Sequence, residues 1–117
     1  MARTDRAART SLGPDAILGT YCGVSSHDGM TAGEIGADYV SFGPVGDTGL
    51  GDGPCAPREL FEWWSQMIEL PVVAEGALEV AHIADLAAVT DFFAIGAEIW
   101  RKEDPLSELL SLTSPLR

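Results

Sequence analysis

Short apolar runs along the chain alternate with longer segments in which apolar residues recur at helical spacing. The runs predict four β-strands, at Asp15–Cys22, Tyr39–Phe42, Val72–Ala74 and Phe92–Ile95. A helix-length segment follows each run, and strands separated in this way pair in parallel. The pattern therefore predicts an α/β fold of four βα units, with its chemistry on the loops that follow the strands.

Helix signals occupy the segments between the strands. Five helices are predicted, at Ala2–Leu12, His27–Ile35, Arg58–Ile68, Glu79–Ala88 and Pro105–Leu112. A serine before the second helix, Ser25 or Ser26, can cap its first turn. Gly96–Trp100 has the length of one further helical turn. The alternation of strand and helix therefore continues to the end of the chain.

The third predicted helix is amphipathic and follows a long loop. Its apolar residues form one stripe: Leu60, Phe61, Trp64 and Ile68. A stripe of this kind packs against a core. The preceding segment, Gly43–Pro57, is too rich in glycine and proline for regular structure, and loops of this length are usually functional.

Composition narrows the class of protein. The 117 residues include 18 acids and 7 bases, and the net charge of −11 argues against nucleic acid or an anionic membrane as a partner. Cys22 and Cys55 lack CxxC spacing, which favours reduced thiols in a cytoplasmic protein. No apolar run approaches the length of a membrane span, and the first ten residues lack the apolar segment of a signal peptide.

Three stretches carry a resemblance to a known family. They are GADYVSFGPV at Gly36–Val45, LPVVAEGAL at Leu70–Leu78, and TDFFAIGAEIW at Thr90–Trp100, the last followed by Glu-Asp-Pro. In this order they resemble thiamine-phosphate synthase and its relative thiazole tautomerase. The resemblance runs from about residue 12 to 112. It implies strands five to eight, the C-terminal half of a TIM-type (β/α)8 barrel, so residues 1–117 are expected to form a single incomplete barrel domain.

The resemblance implies a phosphate-binding site on the loops at the carboxyl ends of the strands, hereafter called the strand mouths. The implied substrate- or phosphate-binding residues are Thr48, Gly76, Ala77, Gly96 and Ala97. Leu50 and Gly51 stand where the family has a second threonine and a lysine, and glycine cannot replace the charge of lysine. On this view Gly76→Val should abolish phosphate binding with little loss of fold.

The mouth of the first strand allows two interpretations. The local string GVSSH matches a family motif and would place Ser25 and His27 at the pyrophosphate, with His27 as a general base. Counting back from GADY instead places Tyr21 and Cys22 at the strand end and leaves the serines as helix caps. We favour the second interpretation, because a helix is harder to shorten than a short motif is to imitate.

Two glutamates lie close to the expected phosphate-binding site, hereafter called the cup. Glu75 and Glu98 stand at the third and fourth strand mouths, where a carboxylate 4 Å from a phosphate would cost about 1 kcal/mol even in water. Either both side chains turn away from the cup, or the cup no longer takes a phosphate. The sequence leaves their orientation open.

No metal site is expected in this chain. The resemblance implies Mg²⁺ in the complete barrel, held by aspartates of the preceding half. Asp47 and Asp52 flank the long loop, but two acids among glycines and prolines are more often solvated turn residues.

The implied function is a step of thiamine biosynthesis. In the complete barrel, a pyrimidine pyrophosphate would be coupled to a thiazole phosphate, and the protein would position the substrates and stabilise charge. The chain lacks the metal-binding half and the loop lysine, so its activity alone is doubtful.

Three alternatives stay open. One is a non-catalytic half-barrel or divergent homologue that assembles with a second copy or with a missing N-terminal half, because four βα units leave two open sheet edges. Another is a thiazole tautomerase-like enzyme. The weakest is half of a barrel of the phosphate-sugar isomerase type.

Overall fold

The chain folds as a parallel sheet with helices between its strands. The computed structural model describes residues 2–47 and 54–117, with side chains from residue 6 onward. The four strands pair in the order β1-β2-β3-β4, all parallel. They are β1 Gly19–Tyr21, β2 Tyr39–Phe42, β3 Val72–Glu75 and β4 Phe92–Ala94. The α/β fold of four parallel strands that the pattern predicted is confirmed.

Helices separate the strands and close the chain. They are α1 Ala2–Leu12, α2 Ser26–Ile35, α3 Arg58–Met67, α4 Val80–Leu86, α5 Ala97–Trp100 and α6 Pro105–Leu112, followed by a 3₁₀ turn at Ser114–Leu116. The bounds of α1 and α6 are those predicted. Helix α4 begins one residue later than predicted, because Glu79 caps it from outside in a capping box with His82, and it ends at Leu86 instead of Ala88. No helix of the described part of the chain is long and apolar enough to cross a membrane.

The first strand is much shorter than the predicted Asp15–Cys22. The apolar residues before Gly19 are not part of the strand. There the Leu18 N–H donates to the Asp38 carboxylate at 2.7 Å. The guanidinium of Arg9 donates to the same carboxylate at 2.8 Å and to the Ala16 carbonyl at 2.7 Å. These side-chain hydrogen bonds hold the segment together with a backbone hydrogen bond from the Asp38 N–H to the Leu18 carbonyl at 2.7 Å, and Ile17 remains 81% exposed.

One face of the sheet lies under the helices. Val40 and Phe42 of β2 are fully buried, and the Phe42 ring meets Phe61 and Trp64 edge-on at centroid distances of 5.9 and 5.2 Å. Leu60 and Ile68 pack against the same core from partly buried positions. The predicted apolar stripe of α3 is therefore confirmed as core packing.

The other face of the sheet carries alternate residues. Ser41 and Glu75 share this face, since the Ser41 hydroxyl donates to the Glu75 carboxylate at 3.0 Å. Register places Tyr21 beside Ser41 and Phe92 beside Val73 on the same face. Tyr21 and Phe92 are 47% and 61% exposed, so this face, hereafter the inner face, is incompletely covered.

Candidate functional site

The carboxyl ends of the four strands meet at one edge of the sheet. Of the predicted site residues, Tyr21 ends β1, Gly76 and Ala77 follow β3, and Gly96 and Ala97 follow β4. Because the strands are parallel and adjacent, their following loops lie along the same edge. Thr48 lies outside the described residues, as do Leu50, Gly51 and Asp52.

The loops after β2 and β3 are pressed together. The Val45 N–H donates to the Glu75 carbonyl at 3.0 Å, and the Gly46 N–H donates to the Gly76 carbonyl at 2.9 Å. A Cβ added to Gly76 would lie 2.6 Å from the Pro44 Cα, and Gly76 has φ +96°. The expectation that Gly76→Val would spare the fold is therefore wrong, because valine would both collide with backbone and adopt a disfavoured φ.

Ala77 continues this turn in a left-handed conformation, with φ 50°. Glycine is the usual residue there because a Cβ strains this region. Gly76 and Ala77 bend the chain after β3, and the Leu78 N–H that follows donates to Glu98 at the fourth strand mouth.

The carboxylate of Glu98 lies between the third and fourth strand mouths. One of its oxygens accepts from the Gly96 N–H at 3.0 Å, and the other accepts from the Leu78 N–H at 3.0 Å. Burial raises the pKa of Glu98, but hydrogen bonds from the backbone N–H groups of Gly96, Leu78 and Glu98 itself outweigh burial and lower the pKa below its usual value. Glu98 thus points into the expected cup. It accepts a hydrogen bond from the Gly96 N–H, a group that the sequence analysis expected to bind phosphate.

Glu75 points to the inner face instead. Its carboxylate accepts from Ser41, and it forms no ion pair with any residue that the structure describes. Burial, followed by the charge of Glu75, raises the pKa of Tyr21, whose hydroxyl donates to the Gly43 carbonyl at 2.8 Å. Sequence reasoning missed Ser41, although its alternation with the buried residues of β2 could have placed it beside Glu75.

The mouth of β1 has the geometry of the favoured interpretation. The strand ends at Tyr21, and the buried Cys22 follows it, with its N–H donating to the Ser41 carbonyl at 2.9 Å. Ser25 is the N-cap of α2 and accepts from the Asp28 N–H at 3.0 Å. His27 lies in the first turn of that helix.

An open cavity of about 1060 Å³ lies beside the Glu98 carboxylate. Ala77 and Ala97 line it, together with the basic residues Arg101 and Lys102. The acidic lining residues are Asp47, Glu79, Glu98 and Glu108. Acids therefore outnumber bases around the cavity. Sequence reasoning missed Arg101 and Lys102, because no motif singles out charged residues that follow a four-residue helix.

The described residues do not fit Mg²⁺. Within residues 2–47 and 54–117, no group of three or more His, Cys, Asp or Glu side chains is placed to hold a metal ion. The two carboxylates at the sheet edge, Glu75 and Glu98, already accept hydrogen bonds from a hydroxyl and from backbone N–H groups. Mg²⁺ is held by carboxylate oxygens together with waters and phosphate oxygens, and the described residues provide no cluster of acids for it, so no role is assigned to the metal in this chain.

Four consecutive parallel βα units with their loops at one edge of the sheet are typical of βα-barrel proteins. Residues 3–99 match the family model described as thiamine monophosphate synthase (TMP-TENI). The chain belongs to the thiamine monophosphate synthase family.

Two similar proteins each match 85% of this chain but are about twice as long. The thiamine-phosphate synthase of Erythrobacter litoralis is 40% identical over 103 residues, which are 85% of this chain and 48% of that protein. The thiamine-phosphate synthase of Hyphomonas neptunium is 44% identical over 101 residues, 85% of this chain and 46% of that protein. The chain therefore spans about half the length of these relatives.

Two solved structures also match nearly all of this chain, and the matched part is about half of each of them. Thiamine phosphate pyrophosphorylase from Pyrococcus furiosus superposes with a TM-score of 0.80 at 22% identity, over 96% of this chain and 54% of that one. The Amycolatopsis orientalis BexX/CysO complex gives a TM-score of 0.75 at 19% identity, over 97% of this chain and 46% of that one. The chain thus matches about half of a TIM-barrel thiamine phosphate synthase structure.

Proposed function

We propose that this chain is the C-terminal half, strands five to eight, of a thiamine-phosphate synthase-like barrel of the cytoplasm. In the complete barrel it would help to couple a pyrimidine pyrophosphate to a thiazole phosphate. The observation that carries the proposal is the family match over residues 3–99. Four parallel strands whose loops share one edge support it, because barrel enzymes bind substrate at that edge.

The chain's part in the reaction would be to position a phosphate-bearing substrate. Backbone groups of Gly76, Ala77, Gly96 and Ala97 lie at two adjacent strand mouths, a common place for phosphate in βα barrels. Thr48 would add a hydroxyl. The chain has no counterpart of the family's loop lysine, and its described residues provide no cluster of acids for Mg²⁺, so the chain alone is expected to be inactive.

A chimaera tests the proposal. The N-terminal half of the Erythrobacter litoralis thiamine-phosphate synthase would be joined to this chain at the start of the matched region. Product formation from the pyrimidine pyrophosphate and the thiazole phosphate would be followed by chromatography. We expect the chimaera to form thiamine phosphate, and each half alone to form none.

The intact Erythrobacter litoralis protein is the positive control for that assay. Circular dichroism and sedimentation would establish that the chimaera is folded and monomeric. A folded chimaera that forms no product at saturating substrate would contradict the enzymatic proposal and favour the non-catalytic half-barrel.

The inner face supports association as a second function. Tyr21, Tyr39 and Phe92 expose aromatic rings on this face, and β1 and β4 are the edge strands of the sheet in the part of the chain that the structure describes. We propose that the missing half of the barrel covers it, because relatives have about twice the length of this chain. A second copy of the chain is the alternative occupant.

A further inference from the structure

The anion cup at the third and fourth strand mouths is filled by the chain itself. The Gly96 N–H and the Leu78 N–H come from different loops, yet each donates to one oxygen of Glu98 at 3.0 Å. Two hydrogen bonds to an ionised carboxylate are stronger than the same bonds to a neutral acceptor. The carboxylate therefore plays the part of a bound anion.

An incoming phosphate would need the same donors. Phosphate and carboxylate are both anionic oxygen acceptors, so they compete for these N–H groups and repel each other at short range. Glu98 is tethered beside the cup, and a tethered group acts at an effective concentration in the millimolar range or above. A free phosphate at lower concentration is at a disadvantage.

The space at this strand mouth would not keep a phosphate out. A Cβ built on Gly96 would meet no heavy atom within 4 Å, and the cavity of about 1060 Å³ opens beside Glu98. Arg101 and Lys102 line this cavity and are basic groups that could face an anion there. What stands between an anion and the donors is the Glu98 carboxylate.

We propose that Glu98 is a built-in competitor that keeps phosphate from the Gly96 and Leu78 N–H groups until its carboxylate is displaced. Only the choice of phosphate as the competing ligand rests on the proposed function. The residue thereby sets the phosphate affinity of this mouth, and its removal opens the cup.

The test is a titration of the full chain with inorganic phosphate at pH 7. Amide signals of Gly96 and Leu78 would be followed by ¹⁵N NMR in the wild type and in Glu98→Ala. We expect Glu98→Ala to bind phosphate at these two amides about tenfold or more tightly than the wild type, as the loss of a charged hydrogen-bonding competitor implies.

Glu108→Ala is the matched control. Glu108 lines the same cavity but accepts neither N–H, so its removal also takes one negative charge from the cavity lining and frees no donor. We expect its phosphate affinity to stay within about twofold of wild type. Equal tightening by the two variants would overturn the proposal, since general charge repulsion would then explain the effect.

Glu98→Gln covers the case in which alanine loosens the loops. Glutamine keeps the shape and one acceptor oxygen but loses the charge, so an intermediate affinity is expected. Wild-type affinity in both Glu98 variants would refute the proposal. An inactive chimaera with an intact amide response would refute the proposed function alone and leave this inference standing.

Discussion

Ala77 has a left-handed backbone conformation that a residue with a Cβ disfavours. It is the only residue other than glycine with positive φ in the part of the chain that the structure describes. Its neighbours fix that conformation, because Gly76 is held against Pro44 and the Leu78 N–H is bonded to Glu98. The strain belongs to the turn that brings two strand mouths together.

Ala77→Gly should therefore stabilise the chain. Glycine adopts φ 50° without the clash of a Cβ, and we expect a gain of about 1 kcal/mol in the free energy of unfolding. Urea denaturation followed by circular dichroism measures it. Ala87→Gly is the control with the opposite sign, because Ala87 has right-handed helical angles at the end of α4. Destabilisation by both substitutions would contradict the strain argument.

Glu98 should make stability depend on pH. Its pKa is lowered in the folded chain, so it stabilises the fold above the usual glutamate range, about pH 4, and this contribution is lost as pH falls through the folded pKa. We expect the stability difference between wild type and Glu98→Gln to be largest at pH 7 and to shrink below about pH 4. Urea midpoints across that range measure it, and a constant difference would be evidence against the hydrogen-bonded carboxylate.

At the scale of elements, α3 fastens the helical layer to the sheet. Trp64 is fully buried, packs edge-on against Phe42, and donates its indole N–H to the Leu70 carbonyl at 2.9 Å. Gly29 of α2 gives the indole its space, since a Cβ there would lie 2.7 Å from the ring. One side chain thus joins α2, α3 and β2.

Trp64→Ala and Trp63→Ala form a matched pair on neighbouring positions. Trp64→Ala leaves a large cavity and an unpaired carbonyl, so we expect a loss of about 3–5 kcal/mol in the free energy of unfolding. Trp63 is 40% exposed, and its removal should cost about 1 kcal/mol or less. Urea denaturation distinguishes them, and equal losses would contradict the assignment of Trp64 to the core.

At the scale of the whole molecule, the sheet has one covered face and one incompletely covered face. Ser41, Val73 and Glu75 alternate with fully buried neighbours, and the exposed rings of the inner face surround them. In a closed barrel that face would be filled by side chains from the remaining strands. A sheet of this kind is expected to associate.

Phe92→Asp should weaken that association. Phe92 lies on edge strand β4 and is 61% exposed, whereas Leu106 is similarly exposed but lies on helix α6. We expect sedimentation equilibrium to show dimers or larger species for the wild type and for Leu106→Asp. Phe92→Asp should raise the dissociation constant about tenfold or more, because a buried charge opposes closure. A wild-type monomer would contradict the argument from the exposed face.

Local signals accounted for most of the elements. Strand β2 and helices α1 and α6 have their predicted bounds because their signals are local: an apolar run, a Gly-Pro stop, and a proline at the first helical turn. The serine cap of α2 is also a local signal, and it limited the cap to two candidates, of which Ser25 is the one observed. Strand β1 was overestimated because Arg9 and Asp38, which are distant in sequence, divert its approach.

The sequence by itself determined the order of strands and helices, the core stripe of α3 and the family. These depend on periodicity and on short motifs, which are written along the chain. Only the tertiary structure decided that Glu98 turns into the cup while Glu75 turns to the inner face, because each orientation depends on a partner that is distant in sequence, Leu78 in the loop after β3 and Ser41 on β2. It also decided that Gly76 is fixed by Pro44, since close packing between two loops leaves no trace in either loop's own sequence.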